Sequence, residues 1–220
     1  MSAQVNDFHE AIPAPSLATR AYEAIRDMIV TLEIRPGAAI SEDALSAQLG
    51  MGRTPIREAI KRLEVDSLVA IYPRRGTFAT EVNITDLALI TEIRQALEPR
   101  AAHSAALRRT AADVKQLTAL REACRTSMPD DDGLMRLDRA AHGAIYRSSH
   151  NRFLEANLMQ YYNLVHRIWH LFLTRLPHLS EHIAEHVPLL DAIIEGRAED
   201  AEQMVRQHVS GFEQTIRSII

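Results

Sequence analysis

Apolar residues recur at intervals of three and four positions along most of this chain, which is the pattern of helices with one buried face. The first such run follows Ser16, whose hydroxyl is suited to cap a helix, and it stops before Pro36 and Gly37. Its apolar face consists of Ala21, Ile25, Met28, Ile29 and Leu32. The pattern therefore predicts an amphipathic helix near the start of the chain.

Two shorter helices and a hairpin are predicted between residues 41 and 78. Ser41 is a suitable cap for the first helix, and Gly50 ends it because glycine adopts the left-handed conformation at little cost. Pro55 lies in the first turn of the second helix, where its missing N–H is not needed. An apolar stretch and a turn at Pro73–Thr77 follow. Two helices joined by a short turn, followed by a two-stranded wing, are typical of a winged helix-turn-helix.

Helical periodicity continues from Ile84 to the end of the chain, without strand-like alternation. Turn-forming residues interrupt it at 129–133, 149–151, 177 and 196, so we predict helices over 85–108, 111–127, 134–148, 151–175, 180–194 and 198–219. The expected fold is mainly α, with a winged helix-turn-helix and its small β-wing at 16–80, followed by an all-α antiparallel helical bundle at 84–220. Residues 1–15 contain Pro13 and Pro15 and are expected to form a disordered arm.

Composition excludes several classes of protein. The single cysteine, Cys124, rules out an intrachain disulfide framework and a thiolate metal cluster. No apolar run has the length of a signal peptide or a membrane span, so we expect a soluble, cytoplasmic protein with no membrane partner. The net charge is −4, and residues 16–80 hold nine Lys/Arg against eight Asp/Glu. DNA affinity must therefore come from the local placement of cations, and the aromatic content of 5% argues against a single-strand binder.

Cations do cluster where a helix-turn-helix reads DNA. Arg53, Thr54 and Arg57 lie at or near the N-terminus of the second helix, the end that points at base edges in such proteins. Arg74 and Arg75, next to Gly76, lie at the tip of the wing, within reach of the minor groove or the backbone. The alternative, that Arg57, Lys61 and Arg62 only form a solvated face, does not explain the turn, Pro55 and the wing together.

A second candidate site lies in the predicted bundle. Asp138 and His142 are four residues apart and share a helix face, while His186 and His208 belong to later helices. Three imidazoles and one carboxylate suit Zn²⁺, Ni²⁺, Mn²⁺ or Fe²⁺. Ordinary core or surface histidines are the alternative. Periodicity also leaves open which histidine pair matters, because His182/His186 and His166/His170 have the same four-residue spacing.

The first half of the chain resembles the N-terminal domain of GntR-type bacterial regulators. The match runs from Ile25 to Phe78, and its most specific part is the segment RTPIREA at Arg53–Ala59. The resemblance implies DNA contacts at the three residues of the second helix named above, and wing contacts near Arg75 and Gly76. Two departures are Gly52, where members often have a serine cap, and Asp43, where some members place a DNA-contacting arginine.

Residues 84–220 resemble the all-helical effector domain, called FCD, of the FadR-like branch of that family. The match is carried by EIRQALEPRAA at Glu92–Ala102, LDRAAHGAIYRSSHNRFL at Leu137–Leu154 and EHVPLLDAIIEGRAEDAEQMVRQHV at Glu185–Val209. In metal-containing members of that branch the ligands fall on Asp138, His142, His186 and His208. Arg94 matches an arginine that faces the same cavity and can bind an organic acid.

These features together predict a ligand-controlled regulator. A small carboxylate would bind the metal and Arg94, shift the bundle and thereby change the affinity for the operator. We expect a homodimer that binds a pseudo-palindromic double-stranded operator and acts as a repressor. A metal sensor, in which the ion itself is the signal, is one alternative. An enzyme is the other, but no H-E-x-x-H-like pairing of a ligand with a general base is found, so no catalytic residue is predicted.

Overall fold

The computed structural model describes residues 15–126, 130–175 and 179–219. Two compact units are present: the first contains the residues up to Ile29 together with Gly37–Thr80, and the second contains Val30–Pro36 and the chain from Glu81 onward. Apart from Pro15, the predicted disordered arm lies outside the described residues, as do the predicted breaks at Pro129 and Pro177.

The first unit contains the predicted helix-turn-helix and a small sheet. Its elements are α1 (Leu17–Val30), β1 (Ala39–Ile40), α2 (Glu42–Leu49), α3 (Arg53–Val65), β2 (Val69–Tyr72) and β3 (Gly76–Ala79). All strands pair in an antiparallel manner in the order β1-β3-β2. The predicted two-stranded wing is confirmed as the β2–β3 hairpin, and β1 adds a third strand to the sheet that the sequence did not predict. With two residues, β1 is too short to produce alternation that can be recognised in a sequence.

Local capping explains the ends of α2 and α3. Ser41 Oγ accepts a hydrogen bond from the backbone N–H of Ala44 at 3.3 Å, and Gly50 takes the left-handed conformation, with φ of 62°, immediately after α2. Gly52 caps α3 in an extended conformation without any side-chain hydrogen bond. The predicted cap and end of α2 and the predicted start of α3 are therefore confirmed.

The second unit is a bundle of helices. Its elements are α4 (Asp86–Arg108), α5 (Ala111–Thr126), α6 (Asp131–Ser148), α7 (Arg152–Phe172), a 3₁₀ turn (Leu173–Arg175), α8 (Leu179–Ala184), α9 (His186–Glu195) and α10 (Ala198–Ile219). The long α4 packs against α10, α6 and α7, and α5 packs against α9 and α6. Within the core, Trp169 stacks on Phe212 with ring centroids 4.1 Å apart. The expected mainly α architecture is confirmed.

Two of the predicted helix boundaries were wrong. The break predicted through Gly133 ends earlier, because the Asp130 carboxylate accepts the backbone N–H of Gly133 at 2.9 Å and caps α6, which begins at Asp131. The single helix predicted at 180–194 is divided at Glu185. Pro188 explains this division, since its ring clashes with the carbonyl four residues earlier and cannot continue a helix from there.

None of the helices in the described parts of the chain is long and apolar enough to cross a membrane.

Candidate nucleic-acid interface and metal centre

The predicted DNA-contacting residues are all solvent-exposed. Arg53, Thr54 and Arg57 lie on the first five residues of α3, whose buried face consists of Ile56, Ala59, Ile60 and Leu63. The apolar face therefore packs into the unit while the cationic face at the helix N-terminus points to solvent. An exposed helix N-terminus with adjacent arginines suits an anionic backbone, because its free N–H groups and dipole favour negative charge.

Both arginines of α3 form ion pairs with the first turn of α2. Arg57 Nε lies 2.6 Å from Glu42 Oε2, and Arg53 Nε lies 2.9 Å from Asp43 Oδ1. The hydrogen bond that Arg57 Nε donates to the Glu42 carboxylate raises the pKa of Arg57 further above its usual value. Each guanidinium is thus oriented through Nε. The sequence analysis predicted no DNA contact for Asp43, and in this structure its partner is Arg53.

The tip of the wing lies between β2 and β3. Arg74, Arg75 and Gly76 are exposed there, with φ of 62° at Arg74 and 110° at Gly76. The backbone N–H of Arg75 donates to the carbonyl of Tyr72 at 3.0 Å, and its guanidinium lies 5.9 Å from the centre of the Tyr72 ring. This turn presents two cations at the end of a short hairpin.

Four candidate metal ligands come together inside the second unit. Asp138 and His142 lie on α6, His186 is the first residue of α9, and His208 lies on α10. Each offers one ligand atom, and these atoms all lie within 4.8 Å of one another. All four side chains are buried. The structure thus brings together the residues that were predicted as a set, from helices far apart in sequence.

The inward-facing atoms of this cluster are electron-pair donors. Asp138 Oδ1 lies 3.5 Å from His186 Nε2 and 3.8 Å from His142 Nε2, while the Nε2 atoms of His142 and His208 lie 3.3 Å apart. Among the described residues, Asp138 Oδ1 and His186 Nε2 are buried without a hydrogen-bond partner. Because buried polar atoms almost always have a partner, these two atoms fit a cation held between them.

The outer atoms of the α6 ligands are held by two buried tyrosines. Tyr162 Oη donates a hydrogen bond of 2.5 Å to Asp138 Oδ2, the carboxylate oxygen that faces away from the cluster. His142 Nδ1 lies 3.1 Å from Tyr146 Oη. Burial, followed by the neighbouring carboxylates, raises the pKa of both phenols well above 10, so each keeps its proton. The tyrosines therefore orient the ligands without adding charge.

The other two histidines are oriented by oxygen atoms as well. His186 Nδ1 lies 3.2 Å from the carbonyl oxygen of Ile183, and His208 Nδ1 lies 2.8 Å from Glu185 Oε2. Burial lowers the pKa of His186 to about 4 and the pKa of His208 well below its usual value, so both rings are neutral at pH 7. A neutral ring that donates through Nδ1 presents a lone pair at Nε2, which is the form that binds a metal.

Arg94 is buried beside the cluster and is paired within its own helix. Its Nε forms an ion pair with Glu98 Oε1, and the other oxygen of Glu98 lies 3.4 Å from His142 Nδ1. Burial is the largest single influence and would raise the pKa of Glu98, but Arg94 and His142 together outweigh it and lower that pKa to about 2. Arg94 was predicted from the sequence, whereas Glu98 was not. The four-residue spacing from Arg94 to Glu98 on α4 was the available signal.

The two alternative histidine pairs occupy different surroundings. His182 on α8 lies next to the cluster, with its Nε2 3.8 Å from Asp138 Oδ1. His166 and His170 lie along α7 with ring centroids 4.9 Å apart, and His166 stacks on Tyr162 at 5.1 Å. The pair on α7 is thus separated from the cluster by the Tyr162 ring, whereas His182 reaches the cluster directly.

The fold and the sites together define a class of protein: a transcriptional regulator with a winged helix-turn-helix and a helical second unit. Family models agree with this class. The model described as bacterial regulatory proteins, gntR family, matches residues 17–79, and the model of the FCD domain matches residues 89–211. The chain therefore belongs to the gntR family and carries an FCD domain, which confirms the resemblance inferred from its sequence.

Individual relatives support the same assignment. The HTH-type transcriptional regulator YdhC of Bacillus subtilis is 30% identical over 216 residues, covering 93% of this chain and 92% of that protein. The HTH-type transcriptional repressor RspR of Escherichia coli is 22% identical over 209 residues, covering 94% and 92%. The solved structure of E. coli McbR/YncC is similar with a TM-score of 0.78 and 24% identity, covering 93% of this chain and 99% of that one.

Proposed function

We propose that this DNA-binding regulator is a repressor that binds a pseudo-palindromic operator as a homodimer, and that a small organic acid, bound at a divalent metal ion in the helical unit, controls its operator affinity. The relative RspR is named as a repressor, which supports repression over activation for this protein. The proposed DNA contacts are Arg53, Thr54 and Arg57 on α3 and Arg74, Arg75 and Gly76 on the wing, all of them exposed.

One observation in particular supports the proposed metal site. Asp138 Oδ1 and His186 Nε2 face each other at 3.5 Å, buried and without hydrogen-bond partners among the described residues. Atoms bound about 2.1 Å from one ion lie about 3 Å apart as neighbours in an octahedron and about 4.2 Å apart when opposite. Three of the distances between ligand atoms of the cluster, from 3.3 to 3.8 Å, fall inside this range, and all four atoms lie within 4.8 Å of one another. The donor set suits Zn²⁺, Ni²⁺, Mn²⁺ or Fe²⁺.

Charge balance supports an anionic ligand at this site. The buried carboxylates of Asp138 and Glu98 exceed the single guanidinium of Arg94 by one negative charge. A bound divalent cation would supply Lewis acidity and change the local balance to one positive charge. Because an unbalanced buried charge is costly, one carboxylate group would then be favoured there.

The residues of the chain would bind this acid in a defined way. Arg94 Nε is engaged by Glu98, so the carboxylate would be bound through the terminal nitrogens of the guanidinium. Glu98 also approaches His142, a ligand on α6, so a change in the Arg94–Glu98 pair is passed to the metal ligands. Coupling of about 1–3 kcal/mol between acid and operator would change DNA affinity about five- to 150-fold.

The test is operator binding by protein of known metal content. DNA selected from a genomic library on immobilised protein would be labelled, and its binding followed by fluorescence anisotropy at one salt concentration. The chelated protein, the protein reloaded with Zn²⁺, and the Zn²⁺ protein with each of a panel of organic acids would be compared. Release of DNA by an acid only in the Zn²⁺ protein is the expected result.

Two variants separate the proposal from its alternatives. His208→Ala should lower metal content and abolish the response to the acid, whereas His150→Asn, at an exposed histidine with φ of 49° that asparagine tolerates, should change neither. Full metal occupancy in His208→Ala would remove His208 from the ligand set. Release of DNA by Zn²⁺ alone would favour a metal sensor, and consumption of the acid would indicate an enzyme.

A further inference from the structure

A fourth imidazole faces the carboxylate at the centre of the metal cluster. His182 Nε2 lies 3.8 Å from Asp138 Oδ1, the same distance that separates His142 Nε2 from that oxygen. That oxygen is buried and has no hydrogen-bond partner among the described residues. The separation of 3.8 Å falls inside the range of about 3–4.2 Å for two atoms bound to one ion.

The ring of His182 is held in this orientation from three sides. It stacks on His208 with ring centroids 4.2 Å apart and an interplanar angle of 19°, and it lies 4.8 Å from the Trp169 ring. Its Nδ1 lies 3.5 Å from Glu185 Oε2, the same oxygen that lies 2.8 Å from His208 Nδ1. One carboxylate therefore faces the Nδ1 atoms of both rings, which directs both Nε2 lone pairs towards the cluster.

His182 nevertheless differs from the other four candidate ligands. Its side chain is 16% exposed, whereas those of Asp138, His142, His186 and His208 are at most 5% exposed. It does not belong to the buried group whose ligand atoms lie mutually within 4.8 Å, but to a second, more open group with Glu185 and His208. His182 is therefore a peripheral member of the site with access to one of its ligand oxygens.

The helix that carries His182 is short and separate. The six-residue α8 ends at Ala184, and the break that Pro188 imposes divides it from α9, which carries His186. His182 and His186 therefore do not belong to one continuous helix, although they are four residues apart. A displacement of α8 would move His182 while leaving His186 on α9.

We infer that His182 is a fifth, displaceable protein ligand: a movement of α8 towards the cluster brings its Nε2 to a coordination position of the ion in the acid-free protein, and the carboxylate of the acid takes that position. This inference rests on the proposed metal site. In the exchange one metal–nitrogen bond breaks and one metal–oxygen bond forms; the imidazole leaves neutral and no oxidation occurs. The acid is thereby sensed through α8 as well as through Arg94.

Co²⁺ provides the probe, because its visible absorption reports the number and type of its ligands and its affinity can be measured by competition with a chelator. The full chain would be compared with His182→Ala, with His182→Phe, which keeps a ring stacked on His208, and with the control His150→Asn. We expect both His182 variants to bind Co²⁺ at least about tenfold more weakly than the wild-type chain, with a changed spectrum, and the control to be unchanged.

Titration with acetate then tests displacement. Acetate should convert the spectrum of the wild-type Co²⁺ protein to that of the acetate-bound His182→Phe protein, and should bind the variant about tenfold more tightly because no imidazole competes. Equal Co²⁺ affinities and spectra in the wild-type chain and both His182 variants would overturn the inference but leave the metal site intact. Failure of the wild-type chain to bind Co²⁺ would instead overturn the proposed function.

Discussion

The hydrogen bond from Tyr162 to Asp138 allows the metal proposal to be tested without touching a ligand. Tyr162→Phe removes only the phenolic oxygen that donates to Asp138 Oδ2 at 2.5 Å. The ring that remains still contacts His142 at 5.0 Å and His166 at 5.1 Å between centroids, so packing is retained. The substitution therefore isolates the effect of orienting and ionising the Asp138 carboxylate.

The expected loss follows from this geometry. Partners that orient metal ligands contribute about 10- to 100-fold in metal affinity. A loss of about 30-fold corresponds to about 2 kcal/mol, which lies within the range of about 1.5–3 kcal/mol for a buried hydrogen bond to a charged group.

The assay is competition for Zn²⁺ between the protein and a chromophoric chelator at pH 7. Tyr161→Phe is the matched control, since Tyr161 is the neighbouring residue on α7 and is only partly buried. Circular dichroism would establish that both variants are folded. A Zn²⁺ affinity for Tyr162→Phe within about twofold of the control would refute the argument, because Asp138 could not then be a ligand oriented by Tyr162.

Three further substitutions test other parts of the molecule. Arg57→Ala should weaken operator binding about 10- to 100-fold in anisotropy titrations while the second unit stays folded. The control Lys61→Ala, on the same exposed surface of α3, should have a smaller effect. Equal effects of the two substitutions would mean that Arg57 makes no specific contact. Tyr22→Phe removes a hydrogen bond of 2.5 Å to Asp66 and should lower the free energy of unfolding of the first unit by about 1–2 kcal/mol in urea titrations; an unchanged midpoint would contradict this. Burial lowers the pKa of His166 from 6.5 to about 3, so the unfolded chain binds the extra proton and stability falls as the pH falls below 6.5, by about 1.4 kcal/mol per unit. Relative to the wild-type chain, His166→Gln should therefore gain about 3 kcal/mol between pH 7 and pH 4.5, and parallel pH profiles would show that His166 is not buried in its neutral form.

Helices and turns whose ends depend on neighbouring residues, such as a glycine or a proline, could be predicted from the sequence. Gly50 and Pro55 mark the turn of the helix-turn-helix, and each acts on the backbone of its own neighbours. The division at Glu185 was missed although its cause, Pro188, is equally local. Strand β1 could not be recognised because its two residues pair with Phe78 and Thr77, far along the chain.

The residues of the candidate metal site were likewise predicted only in part. Its four main ligands were proposed from their residue types and from the family resemblance, whereas Glu98, Glu185 and Tyr162 were missed. Glu98 could have been found from its four-residue spacing to Arg94 on α4, but the partners of the other two belong to other helices: Glu185 approaches His208 on α10, and Tyr162 on α7 approaches Asp138 on α6. Such contacts depend on how the helices pack, and the spacing of residues along one helix does not contain that information.

Trp169, which stacks on Phe212, is an internal fluorophore of the protein. Trp169 is the only tryptophan of the chain, so selectively excited indole emission comes from one ring, whose centroid lies 4.8 Å from His182. A shift of α8 would change the distance between this indole and an imidazole, and with it the quantum yield. Events at the cluster can therefore be followed in the unlabelled chain, in real time and while it is bound to DNA.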